Sequence, residues 1–179
     1  MPFNTPTALP FDTIVIGLGA IGSACTPQLA RRGQRVLGLD RYAPPHAWGS
    51  SHGEIRITRC AVGEGTGYVP LVLRSHEIWR ELEHETGLQL MQQCGALILS
   101  NGVGAQVHGK TDFVGRTILA AERYAILHER LDAAGIAARF PQFRMRGDEH
   151  GYFEPGGGFV RPERCIEAQL DTAGVAHLR

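Results

Sequence analysis

The side chains able to do chemistry in this 179-residue chain fall in two neighbouring stretches. The first, Thr13 to Asp40, contains Gly17, Gly19 and Gly22 in a G-x-G-x-x-G run, preceded by the apolar segment Thr13-Ile14-Val15-Ile16 and followed by Asp40. In a strand-turn-helix setting the first glycine permits the turn, the second lets backbone approach a pyrophosphate and the third lets helix pack on strand. The amides of Ala20 and Ile21 would then face an anion at a helix N-terminus. A carboxylate at Asp40 suits both hydroxyls of an adenosine ribose and repels a 2′-phosphate, which disfavours NADP. The second stretch, Gly49-Ser50-Ser51-His52-Gly53-Glu54-Ile55-Arg56-Ile57-Thr58-Arg59, offers small residues for close backbone approach, an imidazole and two guanidinium groups. Planar forks of donors at Arg56 and Arg59 suit a carboxylate or an electron-rich ring. In a helical turn these two would project from one side, with His52 a turn earlier; solvated surface arginines would show the same spacing. His46, His52 and Cys60 have no recognised metal-ligand spacing, and no metal is expected.

The elements that must position these groups follow from periodicity. A strand before Gly17 and a second one through Arg35-Val36-Leu37-Gly38-Leu39 flank a helix whose apolar stripe is Ile21, Ala24 and Leu29, with a stop at Gly33 after Arg31 and Arg32. Pro27 lies inside that helix and predicts a kink or early bend. Residues 1 to 11 read as a leader, and the prolines at 44 and 45 open a contact loop. An amphipathic helix is expected over 66 to 87, with Val69, Val72, Ile78, Trp79 and Leu82 on its stripe and Gly87 as its stop. Further on the pattern gives a buried strand over Cys94 to Leu99, a loop from Asn101 to Lys110 and a helix through 111 to 126. A weaker helix follows over Leu131 to Phe140. Short strands at Gly151 to Glu154 and Phe159 to Arg161 are joined across Pro155 and three glycines, and a last helix opens at Pro162 with Ile166 and Leu170 inside. The triple glycine lacks a following Gly-Lys-Ser/Thr and reads as a turn; His108 and His128 have no partner at ligand spacing.

Composition bounds the class. The chain is 43% hydrophobic and 20% charged, with eighteen basic residues against eighteen acidic ones. A balanced charge without long blocks points away from nucleic acid and anionic membrane surfaces, toward small-molecule chemistry. Cys25, Cys60, Cys94 and Cys165 form no C-x-x-C pair, which argues against a zinc ribbon and for reduced thiols. The N-terminus lacks a signal-peptide pattern and no apolar run reaches membrane-spanning length, so a cytoplasmic location is expected.

The block Gly49 to Arg59, with Glu64-Gly65, Tyr68-Val69-Pro70-Leu71, Leu73-Arg74-Ser75, Trp79, Glu81-Leu82-Glu83, Cys94-Gly95-Ala96-Leu97 and Tyr152-Phe153-Glu154-Pro155, resembles the monomeric sarcosine oxidase and N-methyltryptophan oxidase family of FAD-dependent amine oxidases. The resemblance runs from about residue 12 to 172. It implies an α/β fold: a Rossmann-like FAD-binding domain over 12–90, the start of an α+β substrate domain over 91–150 and a return segment over 151–179. It implies FAD as cofactor, a secondary or N-methyl amino acid as substrate and dioxygen as oxidant. By motif, Gly17, Gly19, Ala20, Ile21, Gly22, Asp40 and Arg41 would hold the nucleotide, while Ser50, Ser51 and His52 would approach the flavin. Arg56 would lie against its ring, with Arg56 and His52 as catalytic residues, and Arg59 would bind the substrate carboxylate. Ser51, Glu54 and Ile55 depart from the pattern, which carries His, Asp and Thr there; Ile55 lacks the hydroxyl that could position a water beside the flavin. Family members run to about twice this length, so the chain resembles an N-terminal half, without the flavin-tethering cysteine and oxygen-activating lysine, and is expected to be inactive alone. Two other classes compete: a nucleotide-binding module using NAD or FAD without chemistry, and a truncated product that self-associates through exposed strand edges.

Overall fold

The computed structural model describes residues 10–101, 106, 107, 109–173, 177 and 178. In chain order the elements are β1 (Thr13–Ile16), α1 (Ala20–Ala30), β2 (Val36–Leu39), β3 (Arg56–Thr58), α2 (Val69–Thr86, entered through a 3-10 turn over Thr66–Tyr68), β4 (Met91–Gln93) and β5 (Ala96–Ser100). They continue with β6 (Gln106–Val107), β7 (Lys110–Thr111), α3 (Phe113–Arg123), β8 (Glu129–Asp132), α4 (Ala133–Arg139), β9 (His150–Glu154), β10 (Gly158–Val160), α5 (Pro162–Ala173) and β11 (His177–Leu178). The leader expected over 1–11 lies almost wholly outside the described residues, as does His108.

The chain divides into two compact units. The first comprises the described residues of 10–55, 82–90 and 161–178. Its sheet is parallel, in the order β1-β2-β11, with Thr13 opposite Val36 and Ile16 opposite Leu39. Parallel neighbours need a crossover, and α1 supplies it. Leu18, Ile166 and Leu170 form a buried cluster with Val15 against it, so α5 and the first turn after β1 share one core. The strand-helix-strand expectation holds.

Within α1 the expected stripe does not. Ile21 is 82% exposed, and the buried positions are Ser23, Thr26 and Pro27. The reason is α5, which packs against α1 through small side chains: Ser23 Oγ donates to Gln169 Oε1 at 2.7 Å, both groups buried. Helix-to-helix approach at close range favours small residues over branched ones, so apolar periodicity pointed to the wrong face. The helix runs through Pro27 as one element and ends at Ala30, three residues later. Gln34 N–H donates to Leu29 O and Gly33 N–H to Ala30 O, which closes the helix at the predicted glycine.

The second unit comprises the described residues of 56–81 and 91–160. It holds two antiparallel sheets, β3-β10-β4 and β5-β9-β8, and the short pair β6-β7. Ala61, Val62, Val69, Val114, Ala120, Ala121 and Tyr152 form its core. Asp112 caps α3 and Asp132 caps α4, each carboxylate accepting the amide three residues on.

Several expectations shift here. Cys94 is exposed and precedes β5, so the strand begins at Ala96. The Asn101–Lys110 loop contains β6 and the start of β7. Leu131 belongs to β8, which pairs with β9, leaving only Ala133–Arg139 for the helix. The strands on either side of the triple glycine do not pair with each other: β9 joins β5 and β8, whereas β10 joins β3 and β4. A Cβ on Gly158 would stand 2.0 Å from Gln92 O, so β10 can lie on β4 only without a side chain there. The helix expected over 66–87 is present as α2, with Val69 and Leu82 buried and Gly87 just past its end.

Candidate functional site

In the first unit, the turn from β1 into α1 is built by contacts that only glycine allows. Gly17 has φ +86°, and a Cβ on Gly22 would lie 1.8 Å from Gly17 O and 3.3 Å from Val15 Cγ1. The start of α1 therefore rests directly on the carbonyl of its own turn, which brings the first helical amides close to the end of β1. Ala20 N–H donates to Ser51 Oγ at 3.1 Å, and Ser51 Oγ lies 3.2 Å from where a Gly19 Cβ would be. A hydroxyl from the contact loop thus lies on the first amide of the helix, where its oxygen takes the place of an anion oxygen.

Asp40, at the end of β2, is the hub of this unit's site. Its Oδ2 accepts Leu18 N–H at 2.6 Å; its Oδ1 accepts Tyr42 N–H at 3.1 Å and lies 3.1 Å from His46 Nε2. Burial pushes its carboxyl up, but the Leu18 and Tyr42 amides and His46 together outweigh this and hold it below 3.8. A carboxylate offers about four lone-pair sites. Three are in use, so one ribose hydroxyl fits at Oδ2 without loss, and a second fits only if His46 gives way. The hydroxyl reading of Asp40 from spacing alone missed this competition.

The rest of the loop is organised by polar contacts of its own. Trp48 N–H donates to His46 Nδ1 at 3.2 Å, and Gly53 N–H donates to Glu163 Oε1 of α5 at 3.2 Å. Ser50 and His52 are exposed, and Arg41 is exposed with its guanidinium 5.5 Å from the centre of the Tyr42 ring. Leu18, Gly19, Pro45, His46, Gly49 and Ser51 line a pocket of about 30 Å³, room for one water-sized group.

In the second unit, Arg56 and Arg59 do not share a helical turn. Arg56 opens strand β3, paired with Val160 of β10, and Arg59 follows its end. A spacing of three along extended chain sends side chains to opposite sides. Arg56 is exposed, whereas the Arg59 side chain is only 16% exposed. Arg59 Nη2 donates to both oxygens of Glu64, at 2.6 and 2.8 Å, and the guanidinium lies 5.6 Å from the centre of the Phe113 ring. Its Nε is buried and has no hydrogen-bond partner among the described residues. The one nitrogen that grips Glu64 leaves a second donor edge of the fork for another carboxylate.

A carboxylate that spacing could not single out fixes this arginine's backbone. Glu154, fully buried in β9, accepts Cys60 N–H at 2.6 Å, Ala61 N–H at 3.0 Å and the Tyr152 hydroxyl at 2.7 Å. The two residues after Arg59 are thereby pinned from 93 and 94 positions away. Burial, then Glu154, pushes the Cys60 thiol up to about 12, and the same two causes raise the Tyr152 hydroxyl. Cys60 Sγ lies 3.5 Å from His76 Nδ1, whose Nε2 is 2.7 Å from Thr58 Oγ1; burial lowers the pKa of His76. With so high a pKa the thiol is no nucleophile, and this chain of contacts is architecture. The sequence signal was available: a Glu inside the otherwise apolar run Tyr152-Phe153-Glu154 is a charge that must be paired if buried.

A sequence profile of the FAD dependent oxidoreductase family matches residues 12–177. The chain belongs to that family. Among characterised relatives, monomeric sarcosine oxidase of Streptomyces avermitilis is 40% identical over 163 residues, which covers 91% of this chain and 41% of that protein. N-methyl-L-tryptophan oxidase of Escherichia coli O139:H28 is 37% identical over 164 residues, 91% of this chain and 42% of that protein. Among solved structures, the open form of NikD, described as an unusual amino acid oxidase essential for nikkomycin biosynthesis, superposes with a TM-score of 0.80 at 25% identity, covering 94% of this chain and 42% of that one. The chain spans about two fifths of the length of the relatives it matches. The resemblance read from the Gly49–Arg59 block and the Rossmann-like α/β class both hold in this family.

Proposed function

We propose that these residues form the FAD-holding part of an oxidase that acts on a secondary or N-methyl amino acid, with dioxygen as the final oxidant. The observation that carries the cofactor is the Gly22–Gly17 contact, which leaves no room for a methyl group and sets the first amides of α1 at the end of β1, beside the Asp40 carboxylate that holds Leu18 N–H. The donor set fits an adenine dinucleotide: helix amides at Ala20 and Ile21 for a pyrophosphate, and the remaining Oδ2 site of Asp40 for a ribose hydroxyl. FAD, when bound, supplies the acceptor for the hydride equivalent lost from the amine carbon. The chain's own part is positional. Gly17, Gly19, Ala20, Ile21, Gly22, Asp40 and Arg41 hold the nucleotide; Ser50, Ser51 and His52 line its approach; and Arg56 offers positive charge to the flavin ring. Arg59, through the edge of its fork not used by Glu64, binds the substrate carboxylate, and Phe113 beside it disfavours water.

What supports the amino-acid substrate is the pairing of Arg59 with Glu64: a half-buried guanidinium that meets one carboxylate through a single nitrogen keeps donors of its fork for a second. The test is the visible absorption of the purified chain after incubation with FAD and desalting. A retained flavin spectrum, lost in Gly22→Ala, is the expected result. Titration of that complex with sarcosine and N-methyltryptophan under anaerobic conditions then reads substrate binding through spectral perturbation, which Arg59→Ala should abolish. A colourless wild-type chain would overturn the cofactor reading.

A further inference from the structure

We propose that Trp48, backed by Tyr42, is the stacking face for the adenine ring of the dinucleotide, which makes the loop after Asp40 the part of this chain that holds the base. The inference rests on the cofactor reading above and adds to it where the base lies. Trp48 is 77% exposed, although it stacks on Tyr42 with ring centres 5.6 Å apart and planes 27° apart. Tyr42 has no face to spare: the Arg41 guanidinium lies 5.5 Å from its centre, and His46 meets it edge-on at 5.2 Å. One face of the Trp48 indole is therefore backed by a ring that is itself held in place, and the rest of that ring lies open to solvent. An indole so supported loses little freedom when a second flat ring is laid on it, which is the condition for efficient stacking.

The position of that face is set by the carboxylate expected to hold the ribose. His46 Nδ1 accepts Trp48 N–H, so the ring proton belongs on Nε2, which donates to Asp40 Oδ1. One imidazole thus ties the Trp48 backbone to Asp40 by two hydrogen bonds. A base attached to a ribose on Asp40 is one glycosidic bond from that sugar, within reach of this face. The isoalloxazine end, on the far side of a pyrophosphate at the α1 N-terminus, is not. The same loop that was read as a flavin-contact segment from Ser50 onward thus begins as an adenine-contact segment.

The test uses the full chain and needs no turnover. ADP and FMN divide the dinucleotide into its two ends. Equilibrium dialysis gives the affinity for each, and tryptophan emission reports stacking; Trp48 and Trp79 are the only tryptophans. The expected result is that ADP binds and quenches emission, that Trp48→Phe removes the quench but keeps the affinity, and that Trp48→Ala weakens ADP about tenfold, as loss of one base–aromatic stack does. Tyr42→Leu should weaken it in the same direction, and FMN should neither bind comparably nor respond to either change. ADP affinity unchanged in Trp48→Ala, or FMN rather than ADP depending on Trp48, overturns the assignment while the cofactor reading stands. Failure of the wild-type chain to bind ADP at all overturns both, and it is told apart because the affinity itself, not its dependence on Trp48, is what is missing.

Discussion

At the scale of single residues, the site depends on contacts that allow no extra atom. Adding a methyl group at Gly22 forces backbone against backbone, which a rotamer change cannot relieve, so Gly22→Ala should cost about 3 kcal/mol and lower the urea midpoint accordingly. Gly49→Ala, whose nearest neighbour would be His46 Cε1 at 3.8 Å, should change stability by less than about 0.5 kcal/mol. A second residue-scale consequence concerns acid. Because the folded chain holds the Asp40 carboxyl below 3.8, its contribution to stability is fully present above that pH and is lost as pH falls toward the depressed folded value. Acid unfolding followed by circular dichroism should show wild type losing stability from about pH 4 downward. Asp40→Asn should be less stable at neutral pH and less sensitive in that acid range. The tight turn at the glycines and the place of Asp40 at the end of β2 were legible in the sequence because their geometry is local and their spacing is fixed by one turn. His46, Glu64 and Glu154 were not assigned roles, because what makes them matter is a partner brought close only by folding. The Arg56–Arg59 spacing misled for the opposite reason: it was read with a helical period, and the segment is a strand.

At the scale of elements, α1 shows how a helix can be predicted correctly and faced wrongly. Its existence followed from the glycine turn and the Gly33 stop, both local. Its orientation followed from α5, nearly 150 residues distant, whose Gln169 meets Ser23 in a buried polar contact. Nothing in α1 alone signals that Ser23 and Thr26 are covered while Ile21 is bare. The same holds for β9 and β10, read as strands joined across a glycine turn: they lie in different sheets, since pairing is decided by strands from elsewhere in the chain. The Ser23–Gln169 pair makes a quantitative prediction. Ser23→Ala leaves a buried amide oxygen without its donor and should cost about 1–3 kcal/mol, and Gln169→Leu should cost a similar amount. The double variant, with both polar groups gone, should cost less than the sum of the two, and thermal unfolding of the four proteins measures that coupling.

At the scale of the whole molecule, the parts that resemble sarcosine and N-methyltryptophan oxidases are distributed over both compact units: Asp40 and the Ser50–His52 segment in one, Arg56, Arg59 and Glu154 in the other. Each unit carries one reporter, Trp48 in the first and Trp79 in the second. Glu154→Ala strips two backbone amides and a tyrosine hydroxyl of their acceptor at once. Unfolding followed at Trp79 in a Trp48→Phe background should shift by about 3–5 kcal/mol, whereas Tyr152→Phe, which removes one of three donors, should cost about 1 kcal/mol. This arrangement also bears on how the sequence can drift. A side chain answering three donors has no single neighbour by mutation that answers them all: Gln keeps the length but turns one acceptor into a donor, and Asp keeps the charge but falls short. In a saturating substitution library selected for folding, position 154 should accept almost nothing on its own, while position 152 should accept Phe readily. The Arg59 segment thereby inherits an evolutionary anchor that lies far along the chain.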